Sequence, residues 1–257
     1  MSLAWLSVRT WAVLIVLLLT WLPLLAIARL FERDPAHRTT GRLFRWVGKL
    51  MATLNSVWQI RVDGVTTQEL SHPYVVVCNH QSMVDIPIIC CLPWEMKWIA
   101  KAELFKIPVL GWLMYLAGDI RVDRRDKSSR ARVMVSARQY LRDRCSVMFF
   151  PEGTRSRDGR LRAFTDGAFR LAIVAKVPVL PLVVDGTRGV LPKNSWKFSP
   201  AEIRLRVLTP VDTSGLKIED TAALRDRVHE IIARQLDDWR ATHPSVALIG
   251  TAAAAGH

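Results

Sequence analysis

The chain has 257 residues, carries 36 Lys and Arg against 23 Asp and Glu for a net charge of +13, and is half hydrophobic. That length fits one large α/β domain with an appendage, and the basic balance predicts a polyanionic partner. Ten Trp favour an anionic membrane surface, whereas no paired Cys/His spacing or aromatic RNA-binding motif supports nucleic acid. The four Cys have neither zinc-ligand spacing nor a disulfide framework, so buried thiols in a reducing compartment are expected.

The first predicted element is an uncharged, mostly apolar helix over residues 10–28. Nineteen helical residues measure about 28 Å, close to a hydrocarbon core of about 30 Å. Pro23 predicts a kink, which suits a dip into one leaflet as well as a full span. A cleaved signal peptide is the alternative, because Ala26-Ile27-Ala28 fits the small-x-small rule. The basic residues that follow favour retention at the cell (inner) membrane, with the rest of the chain on the cytoplasmic side.

A second, amphipathic helix is predicted from two stripes of residues. Arg38, Arg42, Arg45 and Lys49 recur every three or four positions, and apolar residues that include Trp46 recur on another face. A basic stripe with Trp is typical of a helix that lies in an anionic interface, although a surface helix packed on the domain has the same pattern. We therefore expect a membrane anchor over residues 1–58, an α/β domain over 59–245 and a flexible tail over 246–257.

Strand-like and helix-like patterns alternate after residue 59. Strands are predicted at 60–62, 74–78, 97–100, 119–122, 146–150, 179–184 and 203–208. Helices are predicted at 84–91, 109–117, 126–142, 168–176 and 221–240. Nearly continuous apolar strands with helical connections predict an α/β fold, in which a mixed, largely parallel central sheet is flanked by helices.

A His-x4-Asp motif follows the second predicted strand. His80 has the chemistry of a general base near neutral pH, and Asp85 would hold the other ring nitrogen if the chain turns between them. Ser82 is expected to cap the following helix, and no Ser or Cys is compellingly placed as a nucleophile. The motif favours direct attack by a substrate hydroxyl. Alone it is weak evidence, because a turn His bonded to the backbone is common.

A second polar segment follows the fifth predicted strand and contains Glu152, Gly153, Thr154 and Arg155. Gly allows a tight turn, and an Arg guanidinium suits bidentate binding of phosphate. The alternative is a turn with a local ion pair between Glu152 and Arg155. A third segment, at 121–125, offers further basic groups, for which a solvated loop is the alternative, above all at Arg125.

These segments resemble four blocks of the glycerolipid acyltransferase family, specifically the bacterial 1-acylglycerol-3-phosphate O-acyltransferases. The blocks occur in the family's order at residues 79–85, 118–124, 150–156 and 177–181, and the resemblance covers about residues 62–208. Together they are highly specific. Two departures are Arg121, where an apolar or aromatic residue is usual, and the stretch at 164–167, which lacks the family's Lys and carries Asp166. These differences bear on the acceptor head group.

The resemblance implies transfer of a fatty acyl chain from acyl-CoA or acyl-carrier protein to the sn-2 hydroxyl of 1-acylglycerol-3-phosphate, which gives phosphatidate. It implies that His80 is the base and that Asp85 orients it. Arg124 and Arg155 would hold the phosphate, Glu152 would help to fix the glycerol, and Gly153 and Thr154 belong to the same acceptor-binding block. No metal and no cofactor is implied, and the expected partners are anionic membrane lipids, lysophosphatidate and the acyl donor.

Three alternatives stay open at this stage. One is an acyltransferase for another lyso-lipid, such as lyso-ornithine lipid or a lysophospholipid with a larger head group. Another is a non-catalytic protein that binds anionic lipid, against which the intact motifs argue. The third is a hydrolase that transfers the acyl group to water. No local spacing encodes the donor, the acyl-chain length or the oligomeric state.

Overall fold

A sheet of seven strands forms the centre of the part of the chain that the computed structural model describes, residues 2–65, 72–156, 158–192 and 194–242. The strands are β1 Trp58–Gly64, β2 Val75–Cys78, β3 Met96–Lys101, β4 Ile120–Val122, β5 Ser146–Phe149, β6 Val179–Asp185 and β7 Ala201–Val207. The helices are α1 Leu3–Phe31, α2 Arg38–Thr53, α3 Asp85–Ile89, α4 Leu110–Leu116, α5 Lys127–Arg142, α6 Gly167–Ala175 and α7 Thr221–Thr242. The predicted α/β fold is confirmed, and each predicted strand is present with bounds shifted by at most three residues.

The strand order β1-β7-β6-β2-β5-β3-β4 makes the sheet mixed and largely parallel. The five strands from β6 to β4 are parallel to one another, β7 is antiparallel to β6, and β1 is parallel to β7. The carboxyl ends of β6, β2, β5, β3 and β4 therefore meet at one edge. Ligands of open α/β sheets bind outside such an edge.

Alternate residues of the central strands pack into two apolar cores, one on each face of the sheet. Val76 of β2 and Met148 of β5 pack with residues of α1 to α4. Val75 and Val77 pack with residues of α5, α6 and α7. Both faces are thus covered, which explains why these strands are apolar throughout instead of alternating with polar residues.

Helix α1 is longer than predicted and is docked along one side of the domain. It continues through Pro23, and its Leu6 and Leu25 are buried. Three polar side chains anchor it: Ser7 Oγ accepts from the amide of Phe198 at 2.8 Å, Trp11 Nε1 donates to a carbonyl at 2.8 Å, and Trp21 Nε1 donates to another at 2.7 Å. Large apolar residues cover its other side, including Trp5, Ile15, Leu19, Leu24 and Phe31. By length and composition, α1 is suited to crossing a membrane.

The prediction that Arg45 belongs to an exposed basic stripe on helix α2 is wrong, because the Arg45 side chain turns into the protein. Arg45 pairs with Asp119, which precedes β4, and with Glu95, which precedes β3. Desolvation opposes the charge on Arg45, but these two carboxylates outweigh it and raise the pKa of the guanidinium. Fully buried Lys97 adds a bond of 2.9 Å to the carbonyl of His37 at the start of α2. The inner face of α2 therefore packs on the domain, as the alternative prediction for this helix stated.

The outer face of α2 keeps Arg42 and Lys49 of the stripe, whereas Arg38 bonds to Asp34 and to the carbonyl of Asp143. Arg42 and Trp46 are exposed, and Lys49 Nζ lies 5.0 Å from the centre of the Trp46 ring. Because α1 and α2 pack on the same core as the sheet, a boundary at residue 58 separates elements that are in contact. The predicted division into segments 1–58 and 59–245 stays a prediction. The predicted tail 246–257 lies outside the described residues.

Candidate active site

The loop between β2 and α3 brings His80 and Asp85 together as the motif predicts. His80 Nδ1 lies 2.7 Å from Asp85 Oδ2. The Asp85 side chain is fully buried and that of His80 is 12% exposed. Since a carboxylate only accepts hydrogen bonds, Nδ1 carries the hydrogen and Nε2 keeps its lone pair. This tautomer is the one that a general base requires, with the accepting nitrogen turned away from the carboxylate.

Four donors converge on the Asp85 carboxylate. Besides His80, the backbone amides of Gln81 and Ser82 donate to Oδ2 at 2.7 and 2.9 Å. The hydroxyl of Thr187 donates to Oδ1. Because both oxygens are engaged, the carboxylate has one orientation, and it holds the imidazole ring in one orientation as well.

The turn after β5 holds His80 from the other side. The Phe150 ring stacks on the imidazole with the ring centres 4.0 Å apart and the planes at 19°. The His80 amide donates to Glu152 Oε1 at 2.7 Å, and the His80 carbonyl accepts from the amide of Ser156 at 2.9 Å. The first and third sequence blocks therefore form one site. The ordinary alternative, a turn His whose ring bonds to the backbone, does not describe His80.

Glu152 lies deeper than a residue that only binds substrate would. It is 6% exposed, and its second oxygen accepts from the amide of Arg162 at 3.1 Å. Burial raises the pKa of its carboxyl to about 7, even though the two amide donors oppose the shift. In the described structure this side chain links the His80 loop to the segment at 162. Contact with the glycerol of a substrate stays a prediction, and such a contact would compete with these two bonds.

Gly153, Thr154 and Arg155 are the more exposed residues of the third block. Gly153 has a φ of +73°, which favours glycine, and its amide donates to the carbonyl of Phe150 at 3.0 Å. Thr154 is exposed and Arg155 is partly exposed. Across the described parts of the chain, neither side chain forms a hydrogen bond or an ion pair, so the local pair between Glu152 and Arg155 does not form. A guanidinium with no carboxylate partner is available to an anionic ligand.

Arg124 lies at the same edge of the sheet but further from the His80 loop. It is exposed and follows β4, three strands from β2, which is about 14 Å at about 4.8 Å per strand. Arg155 follows β5, which pairs directly with β2. The strand order therefore makes Arg155 the nearer of the two predicted phosphate ligands.

No nucleophile accompanies the base in the described residues. The Ser82 hydroxyl donates to the carbonyl of Leu191 at 3.2 Å, and α3 begins at Asp85, so Ser82 does not occupy the predicted cap position. Burial, together with the charges of Asp85 and Glu152, raises the pKa of the Cys78 thiol. Over those same residues, no group of three His, Cys, Asp or Glu side chains is arranged to hold a metal ion.

The segment at the end of β6 contributes residues that the sequence analysis missed. Asn79 exchanges two hydrogen bonds with the backbone of Val184, at 2.8 and 2.9 Å. Gln81 Nε2 donates to Asp185 Oδ1 at 2.9 Å, and Thr187 contacts Asp85. The apolar block at 177–181 predicts β6 and therefore a strand near the site. No pattern in the sequence pairs residues that are about a hundred positions apart.

The fold and this site define an α/β protein with a fixed His–Asp pair and an open, cationic edge. A family model described as Acyltransferase matches residues 59–185. The chain is 39% identical to the 1-acyl-sn-glycerol-3-phosphate acyltransferase alpha of Ovis aries, over 66% of this chain and 60% of that protein. It is 30% identical to the 1-acyl-sn-glycerol-3-phosphate acyltransferase of Cocos nucifera, over 89% of this chain and 70% of that protein.

Among solved structures, the chain is similar to the crystal structure of the 1-acyl-sn-glycerophosphate (LPA) acyltransferase PlsC from Thermotoga maritima. The TM-score is 0.78 at 28% identity, over 93% of this chain and 96% of that one. The chain belongs to the acyltransferase family that includes the 1-acyl-sn-glycerol-3-phosphate acyltransferases, which confirms the predicted resemblance. It spans about 60% of the length of the sheep relative.

Proposed function

We propose that this protein transfers a fatty acyl chain from a thioester donor, acyl-CoA or acyl-carrier protein, to the sn-2 hydroxyl of 1-acylglycerol-3-phosphate and so makes phosphatidate. One observation carries the proposal: His80 is locked by Asp85 in the tautomer of a general base, beside cationic groups and without a neighbouring nucleophile. Membership of the acyltransferase family and the names of the relatives support it.

The geometry supports a direct transfer. The acceptor hydroxyl approaches Nε2 of His80 and loses its proton to that nitrogen as its oxygen attacks the thioester carbonyl carbon. The tetrahedral adduct then releases the thiolate, which takes the proton back from the imidazolium. The new ester bond replaces the thioester bond, so atoms and charges balance. Asp85 keeps Nδ1 in place throughout and stabilises the transient imidazolium.

The phosphate of the acceptor is assigned to Arg155 first and to Arg124 second. Both side chains lie at the carboxyl edge of the sheet. Arg155 is one strand from His80 and has no carboxylate partner among the described residues, whereas Arg124 interacts electrostatically with Glu103. A bidentate guanidinium–phosphate contact would fix the acceptor so that its hydroxyl meets the base. A lyso-lipid with a larger head group is the second candidate acceptor, favoured by residues 164–167, where Thr165 replaces the Lys of the family pattern and Asp166 adds an acid.

Membrane association is assigned to the outer faces of α1 and α2. Trp5, Leu19 and Phe31 expose an apolar face of α1, and Arg42 and Lys49 lie beside exposed Trp46. Ser7 bonds to the amide of Phe198, and Trp21, about 21 Å further along the helix at 1.5 Å per residue, bonds to the carbonyl of Leu43 in α2, which itself packs on the domain. A helix that crossed the bilayer would carry one of these contacts away from the domain. We therefore assign α1 a monotopic position, on the cytoplasmic side of the cell membrane.

The activity test measures thiol release from palmitoyl-CoA, and from the matching acyl-carrier protein, by protein reconstituted in anionic vesicles. We expect release that depends on lysophosphatidate and yields phosphatidate. His80→Ala should lower kcat about a thousandfold or more, since a general base contributes about 10² to 10⁴. The matched control is His229→Ala, because His229 also packs on an aromatic ring, that of Phe164 at 4.8 Å, and should leave kcat unchanged.

Three results of this assay would contradict the proposal. Thiol release without any acceptor would identify a hydrolase. Release with another lyso-lipid in an acceptor panel, but not with lysophosphatidate, would move the proposal to the second candidate. Full activity of His80→Ala would show that His80 is not the general base and would refute the proposed mechanism.

The position of α1 is tested by labelling single cysteines with a membrane-impermeant maleimide in oriented vesicles. Ser2→Cys marks the start of the helix, and Ser136→Cys marks the exposed surface of α5. A monotopic helix predicts that both positions react from the same side. Reaction from opposite sides would establish a full span.

A further inference from the structure

We propose that Thr187 is a positioning residue that sets the orientation of the His80–Asp85 pair through its hydroxyl. This inference rests on the proposed function, because it assigns Thr187 a part in the same proton transfer. Thr187 lies outside the motif that contains the pair and two residues beyond the segment that the family model matches.

The first argument is the hydrogen bonding of the Asp85 carboxylate. Thr187 is fully buried, and its hydroxyl donates to Oδ1. The other three donors, His80 and the amides of Gln81 and Ser82, all meet Oδ2. Among the described residues, Thr187 is thus the one hydrogen-bond donor to Oδ1. Without it, a buried charged oxygen has no partner, and the carboxylate gains freedom to turn about its Cβ–Cγ bond and away from Nδ1.

The second argument is that the backbone is built to deliver this hydroxyl. Gly186 has a φ of +86°, and a Cβ at this position would lie 2.0 Å from the carbonyl oxygen of Glu202. The chain therefore turns sharply at the end of β6 at a position that accepts only glycine. The carbonyl of Thr187 then accepts from the amide of Val190 at 3.1 Å, which fixes the turn on its far side.

The third argument is that Thr187 makes one of three successive links between two loops. Asn79 bonds to Val184, Gln81 bonds to Asp185, and Asp85 bonds to Thr187. The links continue the pairing of β2 with β6 past the end of β2, where Cys78 is opposite Leu182. Only the last link touches the reacting pair directly. The end of β6 therefore positions the pair on one side while Phe150 and Glu152 hold it on the other.

Threonine also suits this role better than serine. Its β-branched side chain has few χ1 rotamers, so a buried Thr hydroxyl points in a defined direction. Thr187→Ser keeps the donor but loses the methyl group that restricts it. Thr187→Val keeps the shape and loses only the donor.

The test compares kcat and the KM for lysophosphatidate in the acyl-transfer assay. We expect Thr187→Val to lower kcat about tenfold to a hundredfold with KM within about twofold, the size that a lost bond to a charged group gives. Thr187→Ser should restore kcat to within about threefold of the wild type. If Thr187 positions the base, kcat should fall while KM stays constant, and Thr187→Ser should recover kcat.

The matched control is Thr213→Val. Thr213 is also buried, 4% exposed, and its hydroxyl donates to the carbonyl of Val177 at 3.0 Å, far along the chain from the pair. The two valine variants should lose similar thermal stability, and only Thr187→Val should lose kcat. Equal kcat in Thr187→Val and the wild type would overturn the inference. If Thr187→Val does not fold, Thr187→Ala replaces it, and equal kcat in the Ala and Ser variants would overturn the inference.

A spectroscopic measurement separates this inference from the proposed function. In protein with ¹⁵N-labelled His, the Nδ1–H resonance of His80, assigned by its loss in His80→Ala, should shift in Thr187→Val and not in Thr213→Val. An inactive wild type with that shift would refute the proposed substrate and keep the positioning role. An active wild type whose resonance and kcat are unchanged by Thr187→Val would refute only the role of Thr187.

Discussion

Two sets of polar side chains lie at the same edge of the sheet and are held in opposite ways. In the loop after β2, Asp85 is buried and His80 is 12% exposed, and both carboxylate oxygens and Nδ1 of the imidazole are hydrogen-bonded, which leaves Nε2 free of the carboxylate. In the loops after β5 and β4, Arg155 is partly exposed and Arg124 is exposed, and neither forms a hydrogen bond or salt bridge in the described structure, although Glu103 interacts electrostatically with Arg124. The groups assigned to the chemistry are fixed before substrate arrives, and the groups assigned to binding are left for the substrate to pair.

The difference has a physical basis in solvation. A buried carboxylate must be hydrogen-bonded within the protein, since an unpaired charge in the interior is very costly. An exposed guanidinium is satisfied by water, and it exchanges that water for a phosphate at little cost. Substitutions in the buried set should therefore lower the rate, and substitutions in the exposed set should weaken binding.

The largest expected effect is that of Asp85→Asn. An amide has one accepting oxygen and one donating nitrogen, so it cannot satisfy four donors, and it favours the wrong tautomer of His80. We expect kcat to fall about 10³- to 10⁴-fold, as in other His/carboxylate pairs. The steady-state rate of acyl transfer measures this loss of kcat. Asp212→Asn is the control, because Asp212 is an exposed carboxylate that bonds to Ser214. A loss of less than tenfold would show that the buried set is not needed for the rate.

The next expected effect is on the KM for lysophosphatidate, and it should differ between Arg155 and Arg124. Arg155→Ala should raise the KM for lysophosphatidate about 10- to 100-fold, because a bond to a charged phosphate is lost, and should change kcat much less. Arg124→Ala should have the smaller effect, since Arg124 begins about 14 Å from β2 by strand spacing. Arg138→Ala on the outer face of α5 is the control. The reverse order of effects would contradict the assignment made from the strand order.

The third expected effect concerns stability instead of activity, and is a pH dependence that arises at Glu152. Its pKa is raised from 4.5 to about 7 by burial, so the folded protein binds a proton that the unfolded chain has lost between these values. Its contribution to stability is therefore fully present below about pH 4.5 and is lost as the pH rises through 7, by about 1.4 kcal/mol per pKa unit. Urea unfolding from pH 4.5 to 8 measures it.

Glu152→Gln is the comparison for this titration, because it keeps the shape of the side chain and removes the proton equilibrium. The difference in unfolding free energy between the wild type and Glu152→Gln should change across this pH range and level off above it. A constant difference would show that the carboxyl of Glu152 is ionised throughout, and that the amides of His80 and Arg162 outweigh its burial.

Most of the fold follows from local pattern in the sequence. The apolar runs predict all seven strands, and the His-x4-Asp spacing predicts the contact between His80 and Asp85, because a short turn before a helix brings these positions together. The structure confirms both. Arg45 shows the limit of periodicity. A helical stripe assigns it to the surface, but its partner Asp119 lies seventy-four positions away, where helical periodicity gives no information.

The same limit explains what was missed in the site. Thr187 and Asp185 reach the loop of His80 and Asp85 from the end of the neighbouring strand β6, more than a hundred positions along the chain. Which strands are neighbours is decided by the packing of the whole sheet, and a single sequence does not report it. Gly186 carried a local signal, since glycine at a strand end indicates a sharp turn, but that signal alone does not name what the turn approaches.

The bond between Asp85 and Thr187 has a consequence for the order in which the protein matures. It closes a loop of 102 residues, among the longer-range contacts of the chain. Contacts of this sequence separation form late, because the entropy of closing a long loop is lost before the contact contributes. During synthesis, both members of the pair leave the ribosome long before β6 does. A growing chain would therefore lack the bond to Asp85 Oδ1 until its sixth strand is in place, and the site would be assembled only after most of the sheet has been made.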